Sequence, residues 1–297
     1  MKIRVLGSSA GGGLPQWNCG GVYSVRARAG DPDVAPRSQP SIAVSATGNR
    51  WSVINASPDI RDQFARFPGL HPEPGTRKLP LDTVVLTNAD LDHTLGLLIL
   101  RESLPYRVVS TPWVRDAILR NNAAWRLMDP AWDVAEPNDD FPLDPEGELQ
   151  ARFFPVPGKV PSYLSELETN RGDTTVGLRI TEKKTGKRLV YAAGIRDIDP
   201  VTFAEFEEAG CRFVDGTFYT PEELLAMRPG APDAYAMGHL PVGGEEGSLA
   251  QLRGLPGRSL YIHLNNTNPM VDAGSDEARA VVEAGLEIAS DGMEFEL

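Results

Sequence analysis

Cysteine is nearly absent from this chain: Cys19 and Cys211 are the only two in 297 residues. Two thiols so far apart exclude a disulfide framework and a four-cysteine zinc site, and both are expected to be idle or buried. Positive charge is also in deficit, with 29 Lys and Arg against 41 Asp and Glu and a formal net charge of −12. Nucleic-acid affinity rests on clustered cations that displace counterions from phosphates, so nucleic acid is not an expected partner. No segment approaches the roughly 20 consecutive apolar residues of a membrane helix. The opening Met1-Lys-Ile-Arg-Val-Leu-Gly7 interleaves charge where a secretory leader would be continuously apolar. The expectation is a soluble cytoplasmic protein that does not engage a membrane.

What is present is a 41% hydrophobic composition, enough to bury a sizeable core. Short β-branched runs between turn residues predict strands at 2–6, 41–45, 51–55, 83–87, 106–110, 151–156, 175–180, 188–193, 212–215 and 259–264. Helical patterns alternate with them at 59–67, 91–101, 111–127, 200–207, 248–252 and 276–283. Ser110-Thr111-Pro112 and Asp199-Pro200 are helix starts, a capping residue followed by proline in the first turn. Residues 129–148, rich in Pro, Asp and Glu, read as an exposed loop. Strands continue on both sides of it, so 1–297 is expected to be a single α/β domain.

Chemistry concentrates where strands end. Thr83-Val-Val-Leu-Thr87 runs into Asn88-Ala-Asp90-Leu-Asp92-His93 and then an amphipathic helix, Cys211-Arg-Phe-Val closes on Asp215-Gly, and Tyr261-Ile closes on His263. Open α/β sheets place ligand sites beyond the carboxyl ends of their strands, and Asp and His side chains meeting there can share a cation. Each signal alone also fits a helix cap, a turn or a buried core histidine; three together predict one metal site from Asp92, His93, Asp215 and His263. Two imidazoles and one carboxylate suit non-haem Fe(II) with open positions, whereas zinc would fit the same ligands without redox chemistry. His71, in a proline-rich loop, reads as surface. Gly7-x-x-x-Gly11-Gly-Gly lacks the following helix of a dinucleotide fingerprint and reads instead as turns folding over the site.

The order of these signals resembles the metallo-β-lactamase superfamily, whose motif is His-x-His-x-Asp-His. Here Asn88 and Asp90 stand in place of its first two histidines, and Lys159 of Val156-Pro-Gly-Lys159 stands where a further histidine is expected. The resemblance therefore implies that the usual first zinc site is lost and the second survives. It tightens to the coenzyme PQQ synthesis protein B family through Gly7-Ser-Ser-Ala-Gly-Gly-Gly-Leu-Pro-Gln-Trp-Asn-Cys19, Asn55-Ala-Ser-Pro-Asp-Ile-Arg61, Leu86–Leu97, Val156–Pro161, Met237-Gly-His-Leu-Pro241 and His263-Leu-Asn-Asn-Thr-Asn-Pro269. Many members carry Cys-x-Cys-x-x-Cys after Trp-Asn; here Cys19 stands alone, so no zinc is expected there.

The resemblance implies an αβ/βα four-layer sandwich and Fe(II)- and O2-dependent hydroxylation of a tyrosine ring in a small Glu-Tyr-type precursor of pyrroloquinoline quinone. Asp215 is then a fourth ligand or orients a bound water. His239 lies in a glycine- and proline-flanked loop and is a candidate acid or base. Asn88 and Asp90 are each a ligand, a supporting group or solvent-exposed, and Lys159 is a partner for a substrate carboxylate or a solvated lysine. Two other classes stand beside the hydroxylase, a metallohydrolase and a non-catalytic carrier of the quinone or its precursor. A homodimer is left open.

Overall fold

The computed structural model describes residues 1–102, 106–167 and 172–297. Among these residues the chain lays down two seven-stranded sheets. The first takes β1 (Lys2–Gly7), β2 (Ser41–Ser45), β3 (Trp51–Ile54), β4 (Leu81–Val85), β5 (Arg107–Ser110) and β6 (Trp132–Val134), side by side in chain order. The second takes β7 (Asp140–Pro142), β8 (Leu149–Pro155), β9 (Val176–Glu182), β10 (Arg188–Ala192), β11 (Cys211–Asp215), β12 (Arg258–Ile262) and β13 (Glu287–Ile288) in the same manner. β14 (Glu294–Glu296) then returns to pair with β1. Each sheet starts antiparallel and finishes parallel, the change falling between β3 and β4 in one and between β10 and β11 in the other.

Eight helices are inserted: α1 (Val22–Arg28), α2 (Ile60–Ala65), α3 (Leu91–Thr94), α4 (Gly96–Ile99), α5 (Pro112–Asn121), α6 (Pro200–Glu207), α7 (Ser248–Leu252) and α8 (Asp276–Glu283), counted among the described residues. Successive strand side chains alternate between faces, and the apolar ones sort accordingly. Ile42, Ile54 and Val85 meet Phe153, Leu189, Tyr191 and Phe213 between the sheets. Ala43, Val53 and Val84 pack outward on Phe64, Leu97 and Val114 of α2, α4 and α5. Val190, Val214 and Tyr261 pack outward on Phe206, Leu252 and Val281 of α6, α7 and α8. Three apolar layers separate four structural ones, the αβ/βα sandwich expected from the resemblance. Strands covered on both faces read as unbroken apolar runs, which is why they were legible as strands.

Three expectations about elements need correction. The helix predicted over 91–101 is broken at Leu95–Gly96 into α3 and α4, followed by a 3-10 turn at Leu100–Glu102. The helix predicted over 111–127 stops at Asn121, because Asn122 is extended and its side chain caps the 3-10 segment Ala123–Leu127 instead. Residues 129–148 are not simply an exposed loop: they supply β6 and β7, the last strand of one sheet and the first of the other, with Trp132, Phe141 and Leu143 buried. The starts at Thr111 and Asp199 hold, each side chain accepting an N–H three residues on. No helix among the described residues is long and apolar enough to cross a membrane.

Candidate metal centre

Parallel strands deliver their carboxyl ends to the same edge of a sheet, and here the edges of both sheets meet. After β4 the chain turns through Asn88 and Asp90 into α3, which carries Asp92 and His93; β11 ends on Asp215, and His263 directly follows β12. A second turn, after β3, clamps the first: Ala56 N donates to His93 O at 2.7 Å and Gly96 N to Ala56 O at 2.9 Å. Gly96 permits this approach, since a Cβ there would lie 2.3 Å from the Ser57 carbonyl oxygen. Asn55 and His263 hold positive φ angles of 62° and 66°, a conformation costly for residues other than glycine and concentrated at functional sites. The Gly7–Gly13 turn folds over the site as expected, with Ala10 N bonded to Leu264 O at 2.8 Å and Gly11 against Asp92.

The ligand atoms of Asp92, His93 and His263 lie within 4.8 Å of one another, and so do those of Asp215, His239 and His263. His93 is 1% exposed. Its Nδ1 lies 2.7 Å from Asn88 Oδ1, an acceptor, so Nδ1 carries the proton and Nε2 a lone pair. That Nε2 is buried without a hydrogen-bond partner. His263 Nδ1 lies 2.7 Å from Thr217 Oγ1, and its Nε2 faces Asp92 Oδ2 at 3.0 Å. Thr217 Oγ1 donates to Asp215 Oδ1 at 2.5 Å, so the hydroxyl is an acceptor toward His263.

Asp215 is fully engaged by protein donors. Its Oδ1 takes the Thr217 N–H at 2.9 Å and the hydroxyl; its Oδ2 takes Ile195 N at 3.0 Å and His239 Nδ1 at 2.6 Å. Asp215 was expected as a fourth ligand or as the group that orients a bound water; the structure shows its carboxylate engaged on both oxygens and grouped with His239 and His263. His239, which has no place in the superfamily motif, is brought into the site by that contact, its ring stacked on His263 with centroids 5.4 Å apart.

The electrostatics follow from burial and proximity. Burial alone would raise Asp92, but the neighbouring His93 and His263 hold its carboxyl below the usual range. Burial, reinforced by the Asp92 charge, pushes Asp90 up to about 7 against the pull of His263 and Lys159. Burial also lowers His93 to about 4 despite Asp92. For Asp215 burial opposes, and His239 prevails, lowering it. Asp90, Asp92 and His93 open on a cavity of about 280 Å³ whose wall also includes His239, His263, Lys159, Gly194, Phe218 and Asn265. Among the described residues Lys159 has no ion-pair partner.

Thus Asp90, Asp92, His93, Lys159, His239 and His263 line one cavity, and Asp215 lies buried behind it against Thr217 and His239. His71 is exposed, bonded to Ala65 O, and Cys19 is half-buried, its Sγ accepting from Gly21 N. Sequence reasoning missed Thr217, whose only signal is its place two residues beyond Asp215, and Asn265. It left Asn88 undecided among ligand, supporting group and solvent-exposed residue; the structure buries it with Oδ1 2.7 Å from His93 Nδ1.

Residues 50–264 match the model of the beta-lactamase superfamily domain. Coenzyme PQQ synthesis protein B of Methylobacterium nodulans is 39% identical over 301 residues, covering 100% of both chains. Its counterpart from Rhizobium meliloti is 41% identical over 303 residues, covering 100% of this chain and 98% of that one. The crystal structure of Zn(2+)-bound PqqB from Methylobacterium extorquens superposes with a TM-score of 0.93 at 39% identity, 100% of both chains covered. A diphosphatase of the PhnP family, 18% identical with a TM-score of 0.67, covering 100% of this chain and 97% of that one, shares the fold. With full-length identity near two-fifths and the motif geometry in place, the chain belongs to the coenzyme PQQ synthesis protein B family of the beta-lactamase superfamily.

Proposed function

We propose that this protein acts in pyrroloquinoline quinone biosynthesis as a non-haem iron enzyme that hydroxylates the tyrosine ring of a small peptide precursor. The observation that carries the reading is the buried, unpartnered Nε2 of His93, grouped with Asp92 and His263 at an open cavity. A lone pair left bare in the interior costs about 1–3 kcal/mol unless something binds it, and two imidazoles with one carboxylate are a donor set that suits a divalent metal. Asp92, His93 and His263 would hold the ion. Iron bound there would supply redox chemistry toward dioxygen, which zinc lacks. The zinc in the Methylobacterium extorquens relative supports metal binding by this family without deciding which metal works in the cell.

The chain's own residues have separable tasks. Asn88 and Thr217 hold the His93 and His263 rings in the tautomer that turns Nε2 inward. Asp215 holds the Nδ1–H of His239, leaving Nε2 of that ring as a proton acceptor. Lys159, without an ion-pair partner among the described residues, offers a cation to a substrate carboxylate, and Asp90 an acceptor on the same wall. Overall, an aromatic C–H, one O2, two electrons and two protons yield C–OH and water, so a two-electron reductant is required.

The test is anaerobic Fe(II) loading, then oxygen, ascorbate and a glutamyl-tyrosine dipeptide, with product read by mass. Product that gains one oxygen atom, and disappears in His93→Ala and His263→Ala, supports the reading. Bound iron without oxygen uptake or product refutes it for this substrate. Hydrolysis under nitrogen would transfer the assignment to a metallohydrolase, and unchanged ligand retained through gel filtration to a carrier.

A further inference from the structure

Asn265 lies two residues beyond His263 and lines the cavity. Its Nδ2 donates to Thr267 Oγ1 at 2.6 Å, Thr267 Oγ1 donates to Glu223 Oε1 at 2.7 Å, and Glu223 Oε2 accepts the Tyr219 N–H at 2.8 Å. The direction of this chain is forced. An ionised carboxylate only accepts, so the single hydroxyl proton of Thr267 goes to Glu223, and the hydroxyl must accept from Asn265. The two ends of the Asn265 amide, which geometry alone often leaves interchangeable, are thereby distinguished. Among the described residues nothing donates to Asn265 Oδ1, so the amide oxygen is the unused valence of a residue that lines the cavity.

We propose that Asn265 Oδ1 is the acceptor that reads a ring hydroxyl of the substrate, and that Glu223 is the positioning residue that sets this polarity through Thr267. The hydroxyl rests on the hydroxylase reading; the polarity relay does not. Nearness to His263 puts the recognised group beside the candidate metal centre. Burial pushes the Glu223 carboxyl up to about 7 against the pull of Thr267 and the Tyr219 and Thr220 N–H groups, so at about pH 8.5 it is an acceptor only.

Glu223→Gln makes the sharp test. Both backbone N–H groups require the remaining oxygen, so the new amide turns its NH2 to Thr267. The Thr267 hydroxyl then accepts from residue 223 and donates to Asn265, whose amide flips and presents N–H to the cavity. The experiment uses zinc-loaded protein at about pH 8.5, which binds without turnover. Calorimetry compares glutamyl-tyrosine with the matched 4-fluorophenylalanine dipeptide, and isotope-resolved hydrogen exchange follows the Asn265 side-chain amide. We expect the wild-type protein to prefer the hydroxyl peptide roughly tenfold, the weight of one retained hydrogen bond. The preference should vanish or invert in Glu223→Gln, collapse in Thr267→Val, and survive in Thr267→Ser. One Asn265 amide proton should exchange more than tenfold slower than a free amide in wild type, a reading that needs no variant.

An undiminished preference in Glu223→Gln and Thr267→Val overturns the relay, as does free exchange of both wild-type protons. Equal binding of the two peptides, or binding of neither, overturns the ligand assignment. Oxygen uptake separates the two readings: discrimination without hydroxylation leaves this inference standing and removes the enzyme reading, and hydroxylation without discrimination does the reverse.

Discussion

Replacing Thr217 by valine tests the logic of the metal centre most directly. Valine nearly matches threonine in shape, and the residue is only 3% exposed, so packing is kept while the hydroxyl is deleted. That hydroxyl lies 2.5 Å from Asp215 Oδ1, 2.7 Å from His263 Nδ1 and 3.0 Å from His239 Nδ1. Without it, the tautomer of His263 that offers Nε2 to a metal leaves a buried Nδ1–H unpaired, at about 1–3 kcal/mol. The metal-free protein has an escape: moving the proton to Nε2, which already faces Asp92 Oδ2 at 3.0 Å. The metal-bound protein has none, because Nε2 is then the ligand. The loss therefore falls on affinity, and at 1.4 kcal/mol per factor of ten it amounts to roughly 5- to 140-fold, which brackets the roughly 10- to 100-fold seen when supporting groups of metal ligands are removed. Competition titration against a chromophoric chelator, with Zn2+ and anaerobically with Fe2+, gives the dissociation constants, and thermal melting of the metal-free protein gives the fold's share. Thr217→Ser should bind within about threefold of wild type. A Thr217→Val protein that also binds within threefold would refute the tautomer argument.

Gly96→Ala should cost about 1–3 kcal/mol in urea unfolding, because the new Cβ meets the fixed carbonyl oxygens of Ser57 and Ala56 at 2.3 and 2.7 Å; unchanged stability would mean the turn after β3 is not rigid. Glu223 should make stability fall with rising pH: below about 4.5 folded and unfolded chains both hold its proton, and between there and about 7 only the folded chain does. The loss is up to about 3 kcal/mol and should be absent from Glu223→Gln, so parallel pH profiles of the two proteins would contradict it. His239→Asn, whose amide can still donate to Asp215, should bind metal within about threefold yet lose turnover by at least roughly 100-fold; weakened metal binding instead would make His239 a ligand.

Much of this site was legible because the chemistry sits where apolar runs stop. Asp92–His93, Asp215 and His263 each follow a strand buried on both faces, and parallel pairing brings such ends to one edge. The contacts of Asp215 were not legible, since they bring Ile195 N, 20 residues earlier, and His239, 24 residues later, to the same oxygen. The break in the 91–101 helix was hidden for a like reason: glycine within a helical pattern is tolerated, and only the carbonyl of Ser57 pressed against it reveals the close approach. In 129–148 the many acidic residues and prolines masked Trp132 and Phe141, which anchor two three-residue strands. Strands that short carry too few alternations to register as a pattern.

The three histidines of the site share one device with two different partners. Each is held through Nδ1, by Asn88, Thr217 or Asp215, so that each directs Nε2 away from its holder. The partners of His93 and His263 are neutral oxygens, which fix a tautomer without stabilising a charged ring. Burial then keeps His93 neutral, the form in which imidazole ligates. The partner of His239 is a carboxylate, which takes the Nδ1–H and leaves Nε2 to accept a proton. On the proposed reading, ligand and base are thus distinguished by the charge of the group behind the ring, although all three are the same residue. Thr217 links the two classes, donating its proton to the Asp215 carboxylate and accepting from His263. Through that one hydroxyl the Asp215 carboxylate fixes the tautomer of His263, while it holds the His239 ring directly.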